Sequence, residues 1–277
     1  MPYRMLLADL DGTVLTSAGD VTAATVDALR ALRAAGWRIV LATGRGYRTT
    51  LPVARAVGLG EPVICHNGAL VKNPRDHGTL ATTTIPPDAA RCAVQAILDE
   101  GESACVHVDG WGRDHEFVLV AGRRVAPETR QFAALVDNRF LTRSLDEAAD
   151  AIRECTEISV WTADEALDRC RRAVHAAVDS QVRTLTIYAP NARLRVFEVF
   201  APDADKWTAG RRLAERDGIA ARDIVAVGDD VNDIEMIRGA GLGIAMGNAD
   251  ERVRREADRV TGSCDAEGLA AAIKRLL

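Results

Sequence analysis

The sequence predicts an α/β protein: a parallel sheet with helices on its faces, carried by the two ends of the chain and interrupted by an inserted α+β domain. Two observations carry this reading. Short apolar, strand-sized runs alternate with helical patterns in the first third of the chain and again near its C-terminus. Between them the pattern changes to a helix followed by hairpin-like strands. The core is accordingly assigned to residues 1–84 and 190–277, and the insertion to residues 85–189.

The elements follow in order. An apolar strand is expected from Met5 to Ala8, then a helix from about Thr22 to Ala35, with Val26, Leu29 and Leu32 at helical spacing. Thr22 can cap its start and Gly36 can take the left-handed closing position. The strand Arg38 to Ala42 completes a strand-helix-strand unit; a helix around Thr50 to Val57 leads to the strand Pro62 to Cys65. The insertion opens at Ile85-Pro86-Pro87 and holds a helix from Asp88 to Glu100 and strands around Cys105 to His107 and Glu116 to Val120. A second proline-marked break, Ala189-Pro190-Asn191, closes it. The core resumes with the helix Lys206 to Asp217, the strand Ile224 to Val227 and the helix Asp233 to Arg238.

Composition narrows the function. Of 277 residues, 27% are charged and 48% apolar, the balance of a folded globular protein. The net charge of -5 comes with interleaved signs and no basic stripe, so nucleic acid is not an expected partner. No apolar run approaches the roughly 20 residues that span a bilayer, and the Met-Pro-Tyr-Arg start lacks the pattern of a secretory signal, so a cytoplasmic protein with no membrane partner is expected. Six scattered cysteines include no C-x-x-C pair, which argues for reduced, mostly buried thiols. His66, His77, His107 and His175 have no partner at ligand spacing.

Each core strand runs into a polar residue: Asp9, Thr43, Asn67 and Asp229. In open parallel sheets that edge is where ligands bind. Asp9-Leu10-Asp11-Gly12-Thr13 puts two carboxylates at i and i+2, on one side of an extended chain, before a glycine that permits a sharp turn. One carboxylate can attack phosphorus while its neighbour protonates the departing alkoxide and later deprotonates water; Asp9 suits the first role and Asp11 the second. A plain acidic turn is the alternative, whereas a calcium loop would want glycine where Val14 stands. Thr43-Gly44-Arg45 offers a hydroxyl and backbone N–H groups before a helix, equally consistent with a phosphate cradle and with an ordinary strand-to-helix turn.

Lysine is rare: only Lys72, Lys206 and Lys274 among 35 basic residues. Lys206 opens a helix, where its charge opposes the helix dipole, so it is either a solvated helix-end residue or a cation holding the transferring phosphoryl group beside its nucleophile. Gly228-Asp229-Asp230-Val231-Asn232-Asp233 crowds three carboxylates and an amide after an apolar strand. Oxygen ligands without His or Cys favour Mg²⁺; a polar loop with a capping Asp is the alternative.

Together these segments resemble the haloacid dehalogenase superfamily, specifically its Cof-type members with a large C2-type cap. The resemblance rests on D-L-D-G-T at 9–13, A-T-G-R at 42–45, H-N-G-A at 66–69, Lys206, G-D-D-V-N-D at 228–233 and A-M-G-N-A at 245–249, in order. It implies a Rossmann-like core and a Mg²⁺-dependent phosphatase acting on a small-molecule phosphate ester, a sugar phosphate first. Asp9 would be the phosphate acceptor, Asp11 the acid/base, and Thr43 and Lys206 the phosphate clamps. Asp229 would hold the metal beside Asp9 and the Asp11 carbonyl, supported by Asp233 and Asn232, with Gly44, Arg45, Asn67 and Gly68 meeting substrate. The chain departs from the family where Ala204 and Trp207 flank Lys206 in place of common glycines.

A phosphomutase of the same fold would share these residues, and a non-catalytic binder of metal or phosphate esters would share some of them. A dinucleotide-binding oxidoreductase is excluded, because the glycines at 241, 243 and 247 are wrongly spaced and follow a helix. In the insertion, Trp111, Arg113, Asp114 and His115 form a polar and aromatic tip that reads as a substrate selector or as an exposed hairpin turn.

Overall fold

The computed structural model describes residues 3–189 and 194–277. The chain forms two compact units, one from residues 1–81 and 205–277 and one from residues 82–204. Among the described residues, the first unit is built on an eight-stranded sheet in the order Arg259–Val260, Leu242–Ala245, Ile224–Gly228, Met5–Ala8, Arg38–Ala42, Val63–Cys65, Leu70–Lys72 and Thr79–Thr82. The first six run parallel; Val63–Cys65 and Leu70–Lys72 pair antiparallel. Met5–Ala8, at the centre, pairs Ala8 with Val227 on one side and Leu41 on the other, so Asp9, Thr43 and Asp229 follow neighbouring strands at one edge. Both faces are covered: the central strands bury every side chain, as apolar runs without alternation require.

Local chemistry sets the helices. Ala23–Ala34 starts where the Thr22 hydroxyl accepts from the Thr25 N–H at 3.2 Å, and Gly36 closes it at φ +86°. The next helix begins at Tyr47, three residues before the sequence reading places it, because the Gly46 carbonyl accepts from the hydroxyls of both Thr49 and Thr50 and holds the first turn. Lys206–Arg216 is capped by Asp205, whose carboxylate accepts from the Thr208 N–H at 2.7 Å. A Cβ at Gly210 would lie 2.7 Å from Leu7, so glycine lets this helix sit close to the central strand. The helix expected from Asp233 to Arg238 is present as Ile234–Gly239, preceded by a 3₁₀ turn over Val231–Asp233.

The second unit has a six-stranded sheet among its described residues, in the order Arg183–Ala189, Leu194–Phe200, Glu157–Val160, Ala104–His107, Phe117–Val120 and Phe140–Arg143. Helices Pro87–Asp99 and Asp164–Val178 bury Val94, Ile97, Cys170 and Val174 with Val106, Ile158 and Phe197. The other face carries a second core, in which Phe132 stacks on Trp161 with centroids 4.3 Å apart. Here the sequence-drawn boundary is corrected. Pro190 and Asn191 lie outside the described residues, but the strands before and after them form an antiparallel pair from Arg183↔Phe200 to Ala189↔Leu194, so this unit continues to Ala204.

All six cysteines are free, and all but Cys92 are buried. No helix among the described residues is long and apolar enough to cross a membrane.

Candidate active site

Lys206 and Asp9 meet at the C-terminal edge of the central strand. The Lys206 ammonium donates to Asp9 Oδ1 at 2.6 Å and to Asp233 Oδ1 at 2.7 Å, with all three side chains buried. Asp233 Oδ2 accepts the backbone N–H groups of Asp229 and Asp230 at 2.9 and 3.1 Å, so one oxygen holds Lys206 and the other anchors the loop. Gly228 admits this turn: a Cβ there would fall 2.4 Å from the Asp233 carboxyl. Trp207, one residue on, is half-buried and packs at Gly239 against the core of this unit.

Asp229 is held from two sides. Thr13 Oγ1 donates to its Oδ1 at 3.2 Å, and Asn248 Nδ2 donates to its Oδ2 at 3.1 Å and to the Gly12 carbonyl at 2.9 Å. Asn248 Oδ1 accepts the Cys264 N–H, so one amide ties three segments. Neither Thr13 nor Asn248 stands among the sequence-predicted site residues, although both lie in quoted motifs, D-L-D-G-T and A-M-G-N-A. Their motif membership was the available signal, but no charge drew attention to them.

The remaining candidates converge through backbone bonds. The Asn67 N–H donates to the Thr43 carbonyl at 3.0 Å and the His66 N–H to the Arg45 carbonyl at 3.1 Å, joining two strand ends. His66, Asn67 and Gly68 have φ of 47°, 50° and 105°, a run of left-handed backbone that two non-glycine residues sustain at some cost. A Cβ at Gly68 would lie 2.2 Å from the Asp205 carbonyl oxygen, so glycine is required where this turn meets the cap of the Lys206 helix. Gly44 faces the Asn67 amide, and Asn67 Oδ1 accepts from Asn232 Nδ2 at 2.8 Å. Asn232 Oδ1 is buried without a protein partner. Thr43 Oγ1 accepts the Arg45 N–H at 3.1 Å, and the Arg45 guanidinium forks onto Asp11, with Nε donating to Oδ2 at 2.7 Å and Nη2 to Oδ1. In the second unit, Arg113 of the tip at 111–115 donates to Glu154 at 2.6 Å, and His115 pairs with its neighbour Asp114.

The electrostatics call for a cation. Burial, opposed by Lys206 and reinforced by Asp233, Asp229 and Asp11, pushes the Asp9 carboxyl well above the usual range. Burial and Asp233 push Asp229 up to about 7. For Lys206, burial alone would lower the ammonium's pKa, but Asp233 and Asp9 outweigh it and hold it above the ordinary value. One ammonium thus faces more carboxylates than it neutralises. Asp9, Asp229 and Asp233 each offer an oxygen within 4.8 Å of the others. An all-oxygen set of three carboxylates facing one ammonium fits a hard divalent ion bearing water.

The family is decided by comparison. A model of the haloacid dehalogenase-like hydrolases matches residues 6–273. The chain belongs to this family. It is 27% identical to the 5-amino-6-(5-phospho-D-ribitylamino)uracil phosphatase YitU of Bacillus subtilis, over 99% of this chain and 97% of that one. It is 26% identical to the pyridoxal phosphate phosphatase YbhA of Escherichia coli, over 98% and 97%. Among solved structures, BT1666 from Bacteroides thetaiotaomicron, described among the phosphatases of this superfamily, matches with a TM-score of 0.80 at 26% identity, over 99% of this chain and 94% of that one. As a haloacid dehalogenase-like hydrolase, the chain has the α/β fold with a largely parallel sheet that its sequence predicts.

Proposed function

We propose that this hydrolase is a Mg²⁺-dependent phosphatase that cleaves a small phosphate monoester through an aspartyl-phosphate on Asp9, with a sugar phosphate as the favoured substrate. The observation that carries the reading is the buried Lys206 ammonium shared between Asp9 and Asp233, beside Asp229. Lys206 holds Asp9 Oδ1, and attack on phosphorus is assigned to the other oxygen. The new Asp9–phosphorus bond forms as the bond to the leaving alkoxide breaks, and Asp11 supplies that alkoxide with a proton. Asp11 then takes a proton from water, which attacks phosphorus, releases phosphate and restores Asp9. Thr43, Gly44 and Lys206 bind the phosphoryl oxygens, with Arg45, Asn67, Gly68 and Asn232 around them. Asp9, Asp229 and the Asp11 carbonyl would hold Mg²⁺, with Asp233 anchoring the loop; when bound, the ion neutralises charge on the phosphoryl oxygens and keeps Asp9 ionised. The sugar preference draws support from YitU, whose named substrate carries its phosphate on a ribityl chain.

The test is phosphate release from a panel of sugar, nucleotide and cofactor monophosphates with Mg²⁺, beside EDTA and Asp9→Asn controls. Metal-dependent release that Asp9→Asn abolishes is the expected result. Release that survives Asp9→Asn would refute the covalent route, and no release from any ester would refute the phosphatase.

A further inference from the structure

The edge of a sheet is an unfinished hydrogen-bond ladder, and short strands or charged residues are what keep such an edge from pairing with another chain. Among the described residues, the first sheet ends in Arg259–Val260, two residues long, and in Thr79–Thr82, four residues long. The second sheet ends on one side in Phe140–Arg143, four residues closing on an arginine. Its other edge has neither protection. Arg183–Ala189 is seven residues long and pairs with Leu194–Phe200 along its whole length without a bulge. On its opposite side it has no strand partner among the described residues. From position 184 to 189 it reads Thr-Leu-Thr-Ile-Tyr-Ala, with no charge, proline or glycine. Tyr188 is 53% exposed, a large side chain that reaches solvent from this edge.

We propose that Arg183–Ala189 is the interface of a two-fold symmetric homodimer, in which it pairs antiparallel with the same strand of a second copy about an axis through Thr186. The strand's own symmetry names the occupant. Residues equidistant from Thr186 become partners: Thr186 meets itself, Leu185 meets Ile187, Thr184 meets Tyr188 and Arg183 meets Ala189. Every pair keeps to one face. Thr184, Thr186 and Tyr188 share the face of the helix Asp164–Val178, where Thr184 Oγ1 lies 3.2 Å from His175 Nε2. Leu185 and Ile187 share the other, where Ile187 packs with Phe132 and Trp161. Thr with Thr, Tyr with Thr and Leu with Ile are pairs that stabilise antiparallel strands, and no two like charges stand opposite each other. An axis at Leu185 would set Arg183 against Ile187, and one at Ile187 would carry Thr184 past the end of the strand, so only Thr186 pairs all seven residues. The two second-unit sheets then become one. No residue of the candidate active site takes part, so the dimer stands apart from the phosphatase reading.

The test is sedimentation velocity of the full chain across about 1 to 100 µM, the range in which a small interface dissociates. The wild type should pass from the mass of one chain to the mass of two. T186K and T186E each bring two like charges together on the axis, so each alone should associate at least about tenfold more weakly, whereas their equimolar mixture should regain the dimer because opposite charges now meet there. A wild type that stays monomeric at every concentration would overturn the dimer and leave the edge to a strand of another protein. A wild-type dimer that T186K and T186E leave intact would place the interface elsewhere and overturn the proposal, and a mixture that stays monomeric would overturn the axis at Thr186. Circular dichroism melts establish that the variants are folded. If either is not, Y188A takes its place: it removes the contact with Thr184 at both ends of the ladder and should weaken association about tenfold, and unchanged association would overturn the pairing.

Discussion

Lys206 and Asp9 lie 197 residues apart in sequence and 2.6 Å apart in the fold, and neither side chain meets solvent to any extent. The pair matters energetically as well as chemically. Removing the ammonium leaves Asp9 and Asp233 buried without a cation, a situation that costs about 3 kcal/mol or more. Lys206→Met is therefore expected to lower unfolding stability by about 3 kcal/mol in EDTA, measured by urea denaturation, with part of the loss recovered on adding Mg²⁺. Unchanged stability would mean that the carboxylates are neutral in the fold.

The two donors on Asp229 should set metal affinity. Partners that orient a metal-binding carboxylate are typically worth tenfold or more in affinity. Thr13→Val and Asn248→Ala should each weaken Mg²⁺ binding about tenfold by calorimetric titration, with Asp9 and Lys206 untouched. Wild-type affinity in both would remove these residues from the site.

Gly12 is required by space as well as by backbone. It sits at φ +74°, and a Cβ would fall 2.2 Å from Asp229 Oδ2. Gly12→Ala should displace the Asp229 carboxylate and cut phosphate release at least about a hundredfold while the protein still melts cooperatively, since the strain is confined to one turn. Activity within a few-fold of wild type would argue against Asp229 as a ligand.

In the second unit, Glu157 is buried on a strand beside Glu198, with His107 3.8 Å away. Burial first, then the charge of Glu198, pushes its carboxyl well above the usual range. A group whose pKa rises on folding contributes stability below its unfolded value, and that contribution is lost as pH rises through the folded one. Melting temperature should therefore fall from about pH 4.5 upward, and Glu157→Gln should flatten that slope. Parallel melting curves of wild type and variant across pH would refute the assignment.

Much of the fold was legible because its signals are local. The Thr22 cap, the Gly36 closure and the unbroken apolar strands are properties of a few consecutive residues. The end of the inserted unit was not. Leu194–Phe200 carries Arg195 and Glu198 among five apolar residues, and its sheet is chosen by pairing with Arg183–Ala189 and Glu157–Val160. The helix start at Tyr47 was missed because three successive polar residues hid hydroxyl bonds to Gly46.

The sequence by itself determined which chemistry was available: two carboxylates two residues apart, one isolated lysine opening a helix, and an acidic loop after a strand. Only the tertiary structure decided how these groups are spent. Strand order brings the ends of Met5–Ala8, Arg38–Ala42 and Ile224–Gly228 side by side, and that juxtaposition gives Lys206 to Asp9, Arg45 to Asp11, and Thr13 with Asn248 to Asp229. The reason is physical: turns and periodicities depend on neighbours in the chain, whereas the partner of a buried charge depends on which distant strands share a ladder.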